Sequence, residues 1–63
     1  MLNAAGKAKA SGIAQAFDDL LGKLEPVVTD ARCLAIVRTK LEEACFFSKK
    51  GMARNPANTL EDP

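Results

Sequence analysis

The side chains that most often carry out enzymatic chemistry are scarce in this sequence. It has no histidine to act as a general base, and its two cysteines, Cys33 and Cys45, are twelve residues apart. On one helix that separation is about 18 Å of rise, whereas a disulfide needs Cα atoms within about 7 Å, so the two are not expected to pair within one chain. We interpret both as buried apolar residues in a reducing compartment.

The acidic side chains form no catalytic pair either. Glu42 and Glu43 are adjacent and about 100° apart around a helix, so their carboxylates do not converge as those of a glycosidase do. Arg38 and Glu42 have the i, i+4 spacing of a surface ion pair. The sequence has no glycine-rich phosphate loop and no spaced set of metal ligands. It therefore predicts a binding or structural protein rather than an enzyme, with no metal and no cofactor.

Basic side chains offer the clearest binding chemistry. Arg32 and Thr39 are seven residues apart, which places them on one helix face about 10.5 Å from each other. Arg38 and Lys40 flank that face. A guanidinium group presents forked donors to a phosphate, and a hydroxyl can donate or accept. The pattern suits an anionic ligand or a nucleic acid, although a solvated charged face has the same pattern.

Two helices have to position these side chains. A first helix is predicted over residues 2–25, ending at Pro26, from an apolar stripe of Ile13, Phe17, Leu20 and Leu24. A second is predicted from about Asp30 to Ala53, with Thr29 or Asp30 as the N-cap, from a seam of Leu34, Val37, Leu41, Ala44 and Ser48. The short connection makes them antiparallel neighbours. The fold class is therefore all-α, a two-helix hairpin over residues 1–56 with a flexible acidic tail over residues 57–63.

A hairpin of this size is too small to be stable alone. One seam in a chain of 63 residues gives only a few kcal/mol at most, so partner subunits are expected. Apolar residues beyond the seam support this prediction of a helical homo-oligomer: Cys33, Ile36, Phe46 and Phe47. No segment is long and apolar enough to span a bilayer, and residues 1–7 lack the apolar core of a secretion signal, which predicts a cytoplasmic protein with no membrane partner.

The second helix also carries a motif. The segment 30–53, DARCLAIVRTKLEEACFFSKKGMA, resembles the helical hairpin shared by phage anti-CBASS cyclic-oligonucleotide sponges and anti-Thoeris sponges. That hairpin reads roughly D-x-R-W-L-x-I-A-R-T-x-L-[EQ]-x-[AG]-F-M-[WA]-x-x-[RK]-A-I-A and is followed by a proline, here Pro56. The most specific part of the match runs from Arg32 through Glu42. Cys33 stands at the family's tryptophan position.

The resemblance implies a phage counter-defence protein that sequesters cyclic nucleotide immune signals without cleaving them, so that CBASS-type effectors in the infected bacterial cell are not activated. It also implies a compact helical hexamer, with cyclic trinucleotides bound where three chains meet. Arg32 and Thr39 match the family's basic and hydroxyl positions. Arg38 and Lys40 are secondary candidates for the same site.

A separate pocket for cyclic dinucleotides near the first helix is also implied by the resemblance. Family members stack a tyrosine on a base there, and this chain has no tyrosine. The pocket is therefore either rebuilt from Asn3, Lys7 and Lys9 or lost.

Two other functions remain open. One is an RNA-binding helical hairpin, like small plasmid copy-number regulators, although Glu42 and Glu43 interrupt its basic face. The other is a structural or adaptor oligomer without a ligand. A DNA partner is not expected.

Overall fold

The protein forms an antiparallel pair of helices in a computed structural model that describes residues 1–61. Helix α1 spans Ala4–Leu24, helix α2 spans Ala31–Ala53, and a short 3₁₀ helix follows at Pro56–Asn58. The hairpin is a rod with extents of 49 × 15 × 11 Å. The predicted all-α class and both predicted helices are confirmed, with ends that differ by at most two residues.

Local side-chain chemistry sets the helix ends. The side chain of Asn3 accepts a hydrogen bond from the backbone N–H of Gly6 at 2.8 Å, which caps α1. After Leu24 the chain cannot continue as a helix because Pro26 has no N–H to donate. Asp30, rather than Thr29, is the N-cap of α2, and its carboxylate accepts from the N–H of Cys33 at 2.8 Å.

The capping bond makes the stability of α2 dependent on pH. The hydrogen bond from the backbone N–H of Cys33 is the main cause that lowers the pKa of Asp30 below its ordinary value. A lowered folded-state pKa means that this stabilisation is complete above the unfolded-state value and is lost as the pH falls through the folded-state value.

We therefore expect acid to act partly through Asp30. The melting temperature of the native protein should fall more steeply between about pH 5 and pH 2 than that of Asp30→Asn, because asparagine caps a helix without titrating. Circular dichroism melts of both proteins across this range, at one protein concentration, measure the difference. Parallel curves for the two proteins would show that Asp30 does not contribute.

The seam between the helices drifts away from the predicted one. The half-buried residues on α2 are Leu34, Val37, Leu41, Cys45, Lys49, Met52 and Ala53. Ala44 and Ser48 were predicted in the seam but are exposed, and on α1 Leu21 is more buried than Leu20. A straight helix with 3.6 residues per turn drifts about 20° per heptad from a 3.5-residue repeat. Over the length of α2 this drift shifts the contact by one residue, so that Cys45 and Lys49 replace Ala44 and Ser48 in the seam.

The single hairpin has no dry core. None of its described apolar side chains is buried, and Ile36, Phe46 and Phe47 are 50%, 60% and 62% exposed. The chain has 4729 Å² of accessible surface, whereas a compact monomer of this mass has about 3,900 Å². Cys33 is exposed and Cys45 half-buried, so the prediction that both are buried is wrong for the isolated chain. No helix among the described residues is long and apolar enough to cross a membrane.

The residues after α2 fold back onto the start of α1. Asn58 is only 2% exposed, and its side chain donates to the carbonyl oxygen of Met52 at 2.9 Å and accepts from the ammonium group of Lys9 at 2.6 Å. Its own carbonyl oxygen accepts from the N–H of Asn3 at 3.0 Å. We call Asn3, Gly6, Lys9 and Asn58 the terminal clasp. Residues 57–60 of the predicted tail are thus joined to the hairpin, and residues 62 and 63 lie outside the described residues.

Candidate anion-binding site

Arg32, near the start of α2, is the main candidate for contact with an anion. It lies in the first turn of α2, at the positive end of the helix dipole, and it is exposed; the N–H of Cys33 in that turn is already bonded to Asp30. A helix turns 100° per residue, so Arg32 lies roughly opposite Leu34 and Leu41, on the face directed away from α1. Within residues 1–61, its side chain makes no hydrogen bond or ion pair. This guanidinium group is therefore available to an anion.

Thr39 lies on the same outward face, two turns along. Its hydroxyl donates to the carbonyl oxygen of Ala35 at 3.1 Å, an ordinary contact for threonine in a helix. To donate to a phosphate the hydroxyl has to turn away from Ala35, whereas its lone pairs are free to accept. Ile36, which is 50% exposed, lies between Arg32 and Thr39 on this face.

The two secondary candidates have partners elsewhere. Arg38 donates to Glu25, at the end of α1, with 2.6 Å between guanidinium nitrogen and carboxylate oxygen. The expected pairing of Arg38 with Glu42 is therefore replaced by a contact between the helices. Lys40 lies 3.9 Å from Glu43, and both side chains are largely exposed. The structure brings Arg32 and Thr39 to one face and directs Arg38 away from it.

Two of the three candidates for a dinucleotide pocket belong to the terminal clasp. The amide nitrogen of Asn3 donates to the carbonyl oxygens of Ala57 at 2.9 Å and Leu60 at 2.7 Å, while its oxygen caps α1. All hydrogen atoms of that amide are therefore in use. Lys9 is bonded to Asn58. Lys7 differs from both because no hydrogen bond or ion pair holds its amine among residues 1–61. With Asn3 it lines an open cavity of about 460 Å³ beside Leu2, Thr59 and Glu61.

A groove along one side of the hairpin was missed by the sequence analysis. It holds about 480 Å³ between α1 and α2, with an apolar floor that includes Phe17, Leu21 and Leu41. Cys45, Phe46 and Lys49 line its α2 side. The predicted seam placed Ala44 and Ser48 here instead. A 3.6-residue period applied along the whole helix would have found the groove.

A cluster of aromatic and basic side chains lies toward the end of α2. The rings of Phe46 and Phe47 meet edge to face, with 5.2 Å between centroids and 83° between planes. The ammonium group of Lys50 lies 5.8 Å from the centroid of the Phe47 ring, within the range of a cation–π contact. Both rings remain largely exposed, so this surface is open to a partner.

The described residues contain exposed basic side chains but no cluster of metal ligands. No group of three or more potential metal ligands is found among residues 1–61. The strongest binding feature is an unpaired guanidinium group at a helix N-terminus, on a face that the hairpin does not cover. Comparison with known proteins gives no match to a protein-family model, to a curated protein or to a solved structure.

Proposed function

We propose that this protein is a phage counter-defence sponge that binds cyclic oligonucleotide immune signals and keeps them from CBASS-type effectors without cleaving them. The resemblance of residues 30–56 suggests this function. The observation that supports it best is the exposed and unpaired guanidinium group of Arg32 in the first turn of α2. The proposed place of action is the cytoplasm of the infected bacterial cell.

The proposed site for a cyclic trinucleotide is shared by three chains. Such a ligand has three phosphates related by approximate three-fold symmetry, and a three-fold axis gives each phosphate the same Arg32 and Thr39. Three guanidinium groups repel one another in an empty site, and a trianionic ligand relieves that repulsion. Three charged hydrogen bonds of roughly 1.5–3 kcal/mol each contribute about 4.5–9 kcal/mol, so nanomolar binding, which corresponds to about 12.3 kcal/mol, needs further contacts from the three chains.

Assembly is the second part of the proposal. The exposed Ile36, Phe46 and Phe47 and the absence of a buried apolar side chain among the described residues favour a homo-oligomer. The resemblance suggests a hexamer. For a cyclic dinucleotide, Lys7 is the candidate with an available amine, whereas Asn3 and Lys9 would have to leave the terminal clasp to contact it.

A panel of nucleotides tests the function. We expect a cyclic trinucleotide, a cyclic dinucleotide or a cyclic ADP-ribose isomer to raise the melting temperature, because ligand at 100 times its Kd adds about 2.7 kcal/mol of stability. Linear trinucleotides serve as the control. The bound ligand should be recovered intact after the protein is denatured. Degraded product would show an enzyme, and no shift with any cyclic nucleotide would contradict the sponge.

An RNA-binding hairpin is the alternative that a specific observation favours. Phe47, Lys50 and Arg54 line a small cavity of about 240 Å³ on the exposed side of α2, which combines an aromatic ring with two cations. An RNA backbone held there would dissociate steeply as salt is raised. A gel shift with structured RNA at two salt concentrations distinguishes the two functions.

A further inference from the structure

The groove between the helices has a charge pattern that is complementary to itself. On its α2 side, Glu42 and Lys49 are seven residues apart, about 10.5 Å along the helix, with Cys45 and Phe46 midway between them. If a second copy of the helix runs in the opposite direction with the same midpoint, its position 49 lies beside position 42 of the first copy. An antiparallel second copy therefore sets each glutamate opposite a lysine.

The charges on this rim differ in whether they already have partners. Arg38 is paired with Glu25 at 2.6 Å. Neither Glu42 nor Lys49 takes part in an ion pair within the part of the chain that the structure describes. Two other antiparallel registers are less favourable. A register centred on residue 40 would pair Glu42 with Arg38 of the other copy, although Arg38 is already bonded to Glu25. A register centred between residues 43 and 44 would place Arg38 opposite Lys49, which have the same charge. The register centred between Cys45 and Phe46 uses the two charges on the α2 side that have no ion pair among the described residues, while Asp18 lines the α1 side of the groove.

We propose that this groove binds a second copy of the same chain through a two-fold contact of α2, with the axis beside Cys45 and Phe46. Glu42 of each copy then faces Lys49 of the other, and Phe46, which is 60% exposed, enters the apolar groove of the opposite copy. This contact deepens the proposed function and rests on its self-association, not on its ligand. A two-fold contact uses the same surface patch on both copies.

The length of the contact follows from its register. With the axis between residues 45 and 46, the two copies of α2 lie side by side over residues 38–53, about 24 Å of helix. On a face 15 Å wide this is on the order of 360 Å² per copy, about half of the roughly 800 Å² per partner of a stable interface. The apolar floor supplies the non-directional attraction, while the two charge pairs select the register. An ordinary acidic or basic partner would not need charges of both signs at symmetric positions.

Charge reversal tests the register. Glu42→Lys and Lys49→Glu should each weaken self-association about tenfold or more at low salt, because each creates two like-charge pairs across the axis. An equimolar mixture of the two variants should associate as strongly as the native protein, because both pairs in a mixed dimer are then opposite in sign. Sedimentation velocity across a dilution series measures this. Asp19→Lys, with the same change in charge as Glu42→Lys on an exposed position outside the groove, is the control for that variant.

A chemical crosslink gives an independent readout. In a Cys33→Ser background, a short bismaleimide should join Cys45 of two copies into a covalent dimer, and Glu42→Lys should reduce its yield. A mixture that fails to regain association, or a Cys33→Ser protein that gives no crosslinked dimer, would overturn the proposed contact. Cyclic-nucleotide binding is measured on the same variants so that the two proposals can fail separately. If the variants bind nucleotide but the charge reversals have no effect on association, only the proposed contact is contradicted.

Discussion

Arg32→Ala should weaken the binding of a cyclic trinucleotide about a thousandfold or more while the helical content and the oligomeric mass stay unchanged. The side chain is exposed and has no partner among the described residues, so its removal costs the fold little. In a pocket shared by three chains the substitution removes three guanidinium groups at once. Even about 4.5 kcal/mol lost in total, the low end for three charged hydrogen bonds, weakens binding more than a thousandfold. Isothermal titration and light scattering measure the two properties.

Arg38→Ala is the matched comparison for this experiment. It removes the same chemical group six residues along α2, but from a side chain that Glu25 already holds. We expect a much smaller loss of binding, together with a loss of stability of about 0–1 kcal/mol because the pair is half exposed. Equal losses for the two variants, or undiminished binding by Arg32→Ala, would contradict the assignment of Arg32 as the main phosphate contact.

The elements of this fold could be predicted from the sequence because local chemistry determines them. Pro26 ends α1, Asp30 caps α2, and the apolar spacing sets the inward faces, all within a few residues of chain. The register of the seam was less accurate, since an error of 0.1 residue per turn accumulates over the length of α2. The hairpin itself follows from the short connection between the two helices.

The terminal clasp could not be predicted because it joins distant parts of the chain through polar groups. Asn58 lies in a polar segment with no apolar pattern, yet it is buried. Its partner Lys9 is 49 residues away. The pairing of Arg38 with Glu25 was missed for the same reason, because it depends on how the helices pack. The shared face of Arg32 and Thr39 could be predicted, since a spacing of seven residues on one helix requires no tertiary contact.

The clasp changes the interpretation of the first helix. Asn3 and Lys9 suggest phosphate contacts when only the sequence is considered, but in the structure they hold the chain ends together. Loss of the clasp would free the first turn of α1 and would also separate the two chain ends that form the cavity beside Lys7. The stability of this end of the rod and any binding by Lys7 are therefore coupled.

Gly6→Ala should break the clasp. A Cβ atom at Gly6 would clash with the carbonyl oxygen of Asn58 and lie 3.0 Å from the side chain of Leu2. Asn58 would have to move, which disrupts its bonds with Asn3 and Lys9. Alanine gains roughly 1 kcal/mol in helix propensity, but losing two or three hydrogen bonds of a buried residue costs more, so we expect a net loss of about 1–3 kcal/mol.

Gly12→Ala provides the matched control on the same helix. A Cβ atom there meets nothing within 4 Å, so only the gain in helix propensity remains. Urea unfolding of the two variants should therefore shift in opposite directions from the native midpoint. Both must be measured at one protein concentration, because association stabilises the folded state by mass action. If the two variants proved equally stable, Asn58 would not be held against α1 in solution, and Asn3 and Lys9 would be free to contact a ligand.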